Sequence, residues 1–273
     1  IDYDALVYGS EEAPCVPVNS NHPLYILYTS GTTGKPKGIV RDTGGYAVAL
    51  KFSMKYIYNV KEGETFWAAS DMGWAVGHSY ILYGPLLNRN STIIFEGKPI
   101  KTPDASSFWR IISEHKVGTM FTAPTAIRAI KKEDPDGEFI KQYDLSALKN
   151  QFLAGERCDN ATIEWYQQHI PIPVIDHWWQ TESGWPMVAN SLGIEQMLVK
   201  PGSATKAVCG YDIRIFNENG EELNANEEGL VVVKLPLPPG NMLGIWENET
   251  RFKASYFSKF DGFYLSGDGG YKD

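Results

Sequence analysis

A ten-residue segment near the start of the chain carries the residue types that bind phosphate. It reads TSGTTGKPKG, from Thr29 to Gly38, and contains three glycines, four hydroxyl side chains and two lysines. Glycines let successive backbone N–H groups point into one concavity, the hydroxyls add donors, and the lysines supply positive charge. It is not a Walker A loop, because that pattern requires Gly where Thr29 stands and Ser or Thr where Pro36 stands. We interpret it as a polyphosphate-binding loop, the alternative being a flexible hairpin turn without a ligand.

Overall charge and composition limit the partners of the chain. Its 273 residues include 25 Lys and Arg against 33 Asp and Glu, which gives a formal net charge of −8. Because a nucleic-acid-binding surface is basic, the sequence predicts no nucleic-acid partner. No apolar run approaches the ~18 residues of a membrane span, so no membrane partner is predicted either. A local phosphate site is still compatible with an acidic chain, since it needs only a few N–H groups and lysines.

Cysteine and histidine spacing argues against a disulfide framework and against a zinc site. Cys15, Cys158 and Cys209 are odd in number and far apart, so reduced, structural cysteines are expected. The five histidines form no HExxH or similar pattern, and a histidine-ligated metal is therefore not expected. The chain begins with Ile1, and we interpret it as a piece of a longer protein.

Strand and helix patterns alternate through the first part of the chain. The β-like runs 24–29 and 39–43 flank the glycine-rich segment and predict a hairpin. Further strands are predicted at 65–71, 91–96, 119–123, 151–155 and 173–176, and helices at 46–58, at 104–116, after 124 and at 160–170. Asp104 is the candidate N-cap of its helix. The alternation predicts an α/β fold of layered sheets with flanking helices.

The pattern becomes β-rich after about residue 205. The stretch YDIRIFNENGEEL contains Asn219-Gly220, which is a strong hairpin signal. The run GLVVVKLPLP predicts another strand, and one short helix is predicted near 248–260. We therefore divide the chain into an α/β part, 1–205, and a β-rich subdomain, 206–273.

Several polar segments directly follow predicted strands. They begin at Gly31, Trp74, Gly155 and Asp176. Ligands of α/β sheets bind beyond the carboxyl ends of the strands. These segments are therefore predicted to line one shared cleft.

The segment TSGTTGKPKG is similar to the phosphate loop of the adenylate-forming superfamily, which comprises acyl-CoA synthetases, luciferases and the adenylation domains of peptide synthetases. Within it, the chain resembles the acetyl-/propionyl-CoA synthetase group. The narrower resemblance rests on four segments in matching order: SDMGWAVGHSYILYGPL (70–86), FTAPTAIRAI (121–130), AGERCD (154–159) and DHWWQTESG (176–184). It implies that the chain is part of the family's large N-terminal domain.

The resemblance implies a two-step, ATP-dependent reaction. A short carboxylic acid would attack the α-phosphate of ATP to give acyl-AMP and pyrophosphate, and the thiol of coenzyme A would then displace AMP. ATP, Mg²⁺ and coenzyme A are the implied cofactors and substrates, and no protein nucleophile is needed because positioning and charge neutralisation carry such chemistry. The alternatives are an acetate-CoA ligase, another member of the superfamily such as an aryl or fatty-acid ligase, and a non-catalytic nucleotide-binding module. The compartment is left open between cytoplasm and mitochondrial matrix.

The resemblance also assigns roles to individual residues. The implied catalytic residues are Thr181, whose hydroxyl would donate to the α-phosphate, Glu182, which would hold Mg²⁺, and Lys35. Asp268, in LSGDGG, would bind both ribose hydroxyls; Ser266 stands before it where Thr is more usual, and Arg157 stands where the family often has Pro. The implied nucleotide-binding set is Thr29, Ser30, Gly31, Thr32, Thr33, Gly34, Lys35, Lys37, Gly155, Glu156, Arg157, Asp176, His177, Trp178, Trp179, Gln180, Thr181 and Asp268.

The implied acyl pocket is short and has Trp179 as its floor. Its lining is Trp74, Ala75, Val76, Ala154 and Trp179. Acetate enzymes commonly carry larger residues such as Val at the positions of Ala75 and Ala154, so the sequence favours propionate over acetate. In the family, further segments at both ends supply the coenzyme A site and a mobile C-terminal domain, and the chain alone is therefore expected to be nearly inactive.

Overall fold

A computed structural model describes residues 2–29 and 35–273 of the chain. Its strands are β1 (Pro23–Thr29), β2 (Lys37–Asp42), β3 (Thr65–Ala69), β4 (Ser91–Thr92), β5 (Val117–Thr122), β6 (Asn150–Leu153), β7 (Val174–Asp176), β8 (Val188–Ala189), β9 (Lys206–Ala207), β10 (Ile213–Phe216), β11 (Gly229–Lys234), β12 (Gly244–Ile245) and β13 (Phe263–Gly270). Its α-helices are α1 (Tyr3–Tyr8), α2 (Gly44–Phe52), α3 (Gly84–Leu87), α4 (Ser107–His115), α5 (Pro124–Glu133), α6 (Asn160–His169) and α7 (Glu249–Tyr256). Two π-helical turns, Ser53–Ile57 and Gly77–Tyr83, extend α2 and precede α3, and Ile140–Gln142 forms a 3₁₀ turn.

A five-stranded parallel sheet is the centre of the fold. Its strand order is β4-β3-β5-β6-β7, and α4, α5 and α6 lie between strands in sequence. Strands β5 and β6 are buried along their whole length, as expected of a parallel sheet that is covered on both faces. The predicted α/β class is confirmed.

Alternate side chains of this sheet enter two separate cores. In β3, Phe66 and Ala68 point into the larger core, whereas Trp67 between them points into the other. In β5, Phe121 and Met120 divide in the same way, as the two-residue period of a strand requires. Helices α4, α5 and α6 cover the second core, and α2 and the two π turns pack in the first.

Antiparallel sheets complete the structure. Strands β1 and β2 form the predicted hairpin, with Thr29 paired to Lys37, and β12 adds to β2. Strands β10, β11 and β13 form a second sheet and β8 and β9 a third. The division at 205/206 stays a prediction, and two strands after that point, β9 and β12, pair with strands before it.

Two local predictions were wrong in detail, and one helix was missed. The strand predicted at 91–96 pairs only at Ser91–Thr92. Asp104 is not the N-cap of α4, because its Oδ1 accepts from the Ser106 N–H at 2.8 Å in a turn that precedes the helix. The short helix α1 was not predicted at all. None of the helices in the described part of the chain is long and apolar enough to cross a bilayer.

Candidate functional site

The carboxyl ends of the parallel strands bring three of the four predicted site segments to one edge of the sheet. The fourth, predicted to begin at Gly31, follows β1, which belongs to the separate antiparallel sheet β1-β2-β12. Residues 70–76 follow β3, residues 154–157 follow β6, and Asp176 ends β7. Hydrogen bonds connect neighbouring strand ends: the Thr122 hydroxyl donates to the Ala69 carbonyl at 3.0 Å, and the His177 N–H donates to the Leu153 carbonyl at 3.0 Å. These strand ends are therefore held together, while the shared cleft itself stays a prediction.

Asp268 reaches this edge from β13, although it lies far away in sequence. Its Oδ2 accepts from Trp178 Nε1 at 2.9 Å and from Gln180 Nε2 at 2.7 Å. Gln180 also donates to the Ser266 carbonyl at 2.9 Å and accepts from the Tyr264 hydroxyl at 2.8 Å. The predicted ribose-binding carboxylate is thus fixed against the predicted Trp178–Gln180 segment, with only one of its two oxygens engaged by described residues.

Glu182 lies between a lysine of the glycine-rich segment and a tyrosine of α7. The Tyr256 hydroxyl donates to Glu182 Oε1 at 2.6 Å, and Lys37 Nζ is 3.5 Å from the same oxygen. Lys37 also lies 4.5 Å from the centre of the Tyr256 ring. Burial and the negative charge of Glu182 raise the pKa of Tyr256 well above its ordinary value, so the hydroxyl keeps its proton and stays a donor. Tyr256 was not predicted from the sequence.

The backbone beneath Thr181 and Glu182 is held by Arg41 of β2. The Arg41 guanidinium is fully buried and donates to three carbonyls, those of Thr181, Glu182 and Gly240. The Glu182 carbonyl also accepts from the Met242 N–H at 2.9 Å. Sequence reasoning missed Arg41, and its only signal was a charged residue directly after the apolar pair Ile39-Val40 in a predicted strand.

The glycine-rich segment is described only at its two ends. Ser30, Gly31, Thr32, Thr33 and Gly34 lie outside the described residues. Thr29 ends β1, and Lys35 is exposed. The carbonyls of Lys35 and Pro36 accept from the Arg251 guanidinium of α7 at 2.5 and 3.3 Å. Helix α7 therefore contacts both the exit of this segment and, through Tyr256, the Glu182 carboxylate.

Asp176 and His177 are adjacent but have opposite environments. Burial raises the pKa of Asp176 to about 6, and its Oδ1 is buried without a hydrogen-bond partner in the described structure. The His177 side chain lies in the core, where it bonds the Leu153 carbonyl through Nδ1 and the Tyr58 hydroxyl through Nε2 at 2.9 Å. Burial lowers the pKa of His177 to about 4, so the imidazole is neutral, with Nδ1 as its donor. Perturbed carboxyl groups are frequent at functional sites.

These two groups predict an unusual dependence of stability on pH. Below the pKa that His177 has in the unfolded chain, this residue favours the unfolded state, because the buried imidazole cannot take up a proton. The resulting loss of folding stability grows until the pH reaches about 4. Asp176 has the opposite effect, because its raised folded pKa favours the folded state as pH falls from about 6. Each difference corresponds to about 3 kcal/mol, so the two contributions nearly cancel between pH 6 and 4. Asp176→Asn should therefore cost about 3 kcal/mol more free energy of unfolding at pH 4 than at pH 7, relative to wild type.

Urea unfolding of both proteins at pH 4 and pH 7 measures this difference. The double variant Asp176→Asn with His177→Asn is the control, because it lacks both titrating groups. It should recover the shallow pH dependence of wild type. Identical pH dependences for wild type and Asp176→Asn would contradict the prediction.

The segment after β6 is exposed, and ion pairs with Arg128 hold it in place. Gly155 has φ of +103°, where a Cβ would be strained. The Glu156 carboxylate pairs with the Arg128 guanidinium, which also lies 3.3 Å from Asp159. The Arg157 side chain lies directly against the backbone of Gly202. These exposed residues leave the face of the Gly155 backbone open to the cleft.

The predicted acyl-pocket residues divide into two groups. Val76, Ala154 and Trp179 are half-buried and pack on the larger core. The Trp179 ring lies 5.5 Å from Tyr80 and 6.2 Å from Phe121, measured between ring centres. Ala75 is buried, whereas Trp74 is 65% exposed. Three of the five residues therefore pack against one core, and Trp179 is the bulkiest of them.

The donor set at Glu182 suits a cation that is shared with a ligand. Among residues 2–29 and 35–273, no three His, Cys, Asp or Glu side chains form a group that could hold a metal ion by themselves. A single half-buried carboxylate is what Mg²⁺ requires when substrate phosphates supply most of its oxygen ligands. The residues present fit a phosphate-bound Mg²⁺ rather than a resident metal.

Known proteins resemble this chain over its whole length. Residues 3–246 match the family described as "AMP-binding enzyme". "Acyl-CoA synthetase short-chain family member 3, mitochondrial" of Bos taurus is 54% identical over 274 residues, which cover 100% of this chain and 40% of that protein. The human protein of that name is 53% identical with the same coverage. "Propionate--CoA ligase" of Escherichia coli is 47% identical over 262 residues, which cover 95% of this chain and 41% of that protein. The chain thus spans about two fifths of the length of these curated relatives.

Proposed function

This chain belongs to the AMP-binding enzyme family, and from that premise we propose that it is the nucleotide- and acyl-binding core of a short-chain acyl-CoA synthetase. The proposed reaction joins a short carboxylic acid to ATP, giving acyl-AMP and pyrophosphate, and then transfers the acyl group to the thiol of coenzyme A with release of AMP. The observation that carries the proposal is the convergence of Asp268, Gln180, Glu182 and Lys37 at the carboxyl edge of one parallel sheet. The relatives' names support the substrate class.

The described residues would each meet a different part of ATP. Asp268 has one oxygen engaged by Trp178 and Gln180, which leaves the other for the ribose hydroxyls. The unpartnered Oδ1 of Asp176 supplies a buried acceptor for the adenine amino group. The backbones of residues 155–157 and 176–178 would pack on the base.

Charge near the phosphates would come from Lys35, Lys37 and Glu182. The Thr181 hydroxyl would donate to the α-phosphate, the centre that the acid attacks. Mg²⁺, when bound at Glu182, neutralises charge on the phosphate oxygens. Catalysis by positioning and electrostatics of this kind needs no covalent protein intermediate. We also propose the mitochondrial matrix as the compartment, since the Bos taurus and human relatives carry "mitochondrial" in their names.

The proposed function is tested by acid-dependent exchange of pyrophosphate into ATP. The full-length protein should catalyse exchange with short acids, whereas the 273-residue chain alone should bind ATP but be nearly inactive. Exchange by the isolated chain at the rate of the full-length protein would contradict the proposal that the 273 residues bind ATP but are nearly inactive alone. Failure of the full-length protein to exchange with any carboxylic acid would favour the alternative, a non-catalytic nucleotide-binding module.

We propose propionate as the preferred acid, ahead of acetate and butyrate. The family resemblance places the small residues Ala75 and Ala154 in the acyl pocket, where they would leave room for an additional methylene, which is worth about 0.8 kcal/mol when buried. Discrimination in such a pocket amounts to about 1–3 kcal/mol. The kcat/KM values for the C2 to C6 acids measure the preference, and a clear preference for acetate would make the chain an acetate-CoA ligase instead.

Trp179→Gly should shift this preference towards longer acids. The indole packs on Tyr80 and Phe121, so its removal opens space below the acyl chain instead of letting the walls collapse. We expect kcat/KM for the C5 and C6 acids to overtake that for propionate, with propionate activity lowered about tenfold. The thermal midpoint is measured alongside, and Trp165→Phe, which changes an indole in the second core, is the control. An unchanged chain-length profile in a folded Trp179→Gly protein would remove Trp179 from the pocket.

A further inference from the structure

Arg41 is a buried cation without a carboxylate partner in the described structure. It stands in β2 with no exposed surface, and among residues 2–29 and 35–273 no carboxylate oxygen lies within 4.0 Å of its guanidinium nitrogens. A buried charge is costly unless hydrogen bonds compensate it. The compensation here comes from carbonyl oxygens and from the Tyr46 ring, whose centre is 5.3 Å from the guanidinium carbon.

The carbonyls that Arg41 engages belong mainly to one short segment. Nη1 donates to Glu182 at 3.0 Å and to Gly240 at 2.7 Å, and Nη2 donates to Thr181. Gly184 covers the guanidinium so closely that a Cβ at this residue would lie 2.7 Å from the Arg41 Cζ atom. Residues 181–184 therefore wrap around the guanidinium.

A second buried contact holds the far end of this segment. The Ser79 hydroxyl donates to the Gly184 carbonyl at 2.6 Å, and Ser79 is itself 2.6 Å from the Tyr46 hydroxyl. The backbone of residues 181–184 is thus tied at three carbonyls from inside the protein. The Glu182 carboxylate is turned away from Arg41, towards Lys37 and the Tyr256 hydroxyl.

We propose that Arg41 is a positioning residue for phosphate binding. Its planar fork fixes the backbone of residues 181–184, so that the Thr181 hydroxyl and the Glu182 carboxylate face the nucleotide phosphates. Its charge, balanced in the described structure by carbonyl dipoles and the Tyr46 ring, also makes this part of an acidic chain favourable for an anion. This proposal rests on the proposed function, because it assumes that the cleft binds ATP.

The test separates phosphate recognition from general stability by using two ligands. Affinities of the full-length protein for adenosine and for a non-hydrolysable Mg²⁺–ATP analogue are measured by calorimetry. Arg41→Lys keeps the charge but cannot hold three carbonyls with one planar group. It should weaken the affinity for the ATP analogue about tenfold, or about 1.4 kcal/mol. It should change the affinity for adenosine less than twofold, because the proposed adenine and ribose contacts come from residues outside 181–184.

A second variant disturbs the same contact, between Arg41 and residues 181–184, by changing Gly184 instead of Arg41. Gly184→Ala places a methyl group against the guanidinium and strains a φ of +73°, so it should reproduce the selective loss. The double variant Arg41→Lys with Gly184→Ala should lose little more affinity for the ATP analogue than either single variant, since both substitutions disturb the same contact. Tyr166→Phe is the control, because it removes a buried hydrogen bond to Gln151 of 3.0 Å in the second core and should leave the ratio of the two affinities unchanged.

Each result has a definite meaning. Equal weakening of both ligands by Arg41→Lys, or additive losses in the double variant, would overturn the positioning role. If wild type bound neither ligand, the proposed function itself would fail. A selective, non-additive loss of affinity for the ATP analogue would support the proposal.

Discussion

Glu182→Gln in the full-length protein is expected to lower the rate of acyl-adenylate formation by ~10²–10³-fold. The amide can still accept from the Tyr256 hydroxyl, which bonds the carboxylate at 2.6 Å, so the local structure should persist. What is lost is the negative charge that faces Lys37 and that would hold Mg²⁺ against the phosphates. The loss should therefore appear in the chemical step and in the Mg²⁺ dependence, with little change in the thermal midpoint.

Pyrophosphate exchange measured across a Mg²⁺ titration tests this prediction. Glu222→Gln is a matched control, because Glu222 is a surface carboxylate that pairs with Arg214 at 2.7 Å and Lys272 at 3.2 Å. The control should exchange at the wild-type rate. Near-wild-type exchange by Glu182→Gln at every Mg²⁺ concentration would show that Glu182 is not the metal ligand.

Asp268→Asn is expected to weaken ATP binding about 100-fold. A carboxylate that accepts two ribose hydroxyls makes charge-assisted hydrogen bonds worth about 1.5–3 kcal/mol each. In the free protein, Trp178 and Gln180 occupy Oδ2 and so hold the second oxygen in a fixed orientation. The asparagine can keep these contacts only by turning its amide oxygen towards them, which would present an N–H₂ donor to the ribose.

The discriminating measurement uses deoxynucleotides. Wild type should bind ATP at least tenfold more tightly than 2′-deoxy-ATP, and Asp268→Asn should lose this preference. Asp212→Asn, which removes a surface carboxylate beside Arg214, serves as the control and should retain it. Unchanged ribose discrimination in Asp268→Asn would place the ribose elsewhere.

The electrostatics of the site differ from those of the whole chain. Although the chain carries a net charge of −8, Arg41 and Lys37 both lie next to Glu182, within 3.0 Å of its carbonyl and 3.5 Å of its carboxylate respectively. Because these cations are largely shielded from water, their field is screened less than that of surface charges. Next to Glu182, two cations therefore face one carboxylate, although the chain as a whole is acidic.

Much of the local structure was predictable because it depends on neighbouring residues. The β1–β2 hairpin follows from apolar runs on either side of the glycine-rich segment, and β3, β5, β6 and β7 follow from short apolar runs that alternate with helices. The failures are also local: 91–96 has the composition of a strand, but only Ser91 and Thr92 meet a partner. A segment forms a strand only where a neighbouring strand lies alongside it to share hydrogen bonds, and the composition of the segment does not encode this.

The sequence by itself determined the α/β class and most strand positions, and it supplied the candidates for binding phosphate, metal and sugar. Only the tertiary structure decided that Asp268 would lie against Trp178 and Gln180, that Tyr256 would bond Glu182, and that a buried Arg41 would hold the backbone between them. The physical reason is separation along the chain: these contacts join residues 74 to 141 positions apart. Spacing patterns report on one helix or strand at a time, whereas such contacts form only when strands and helices pack around a common core.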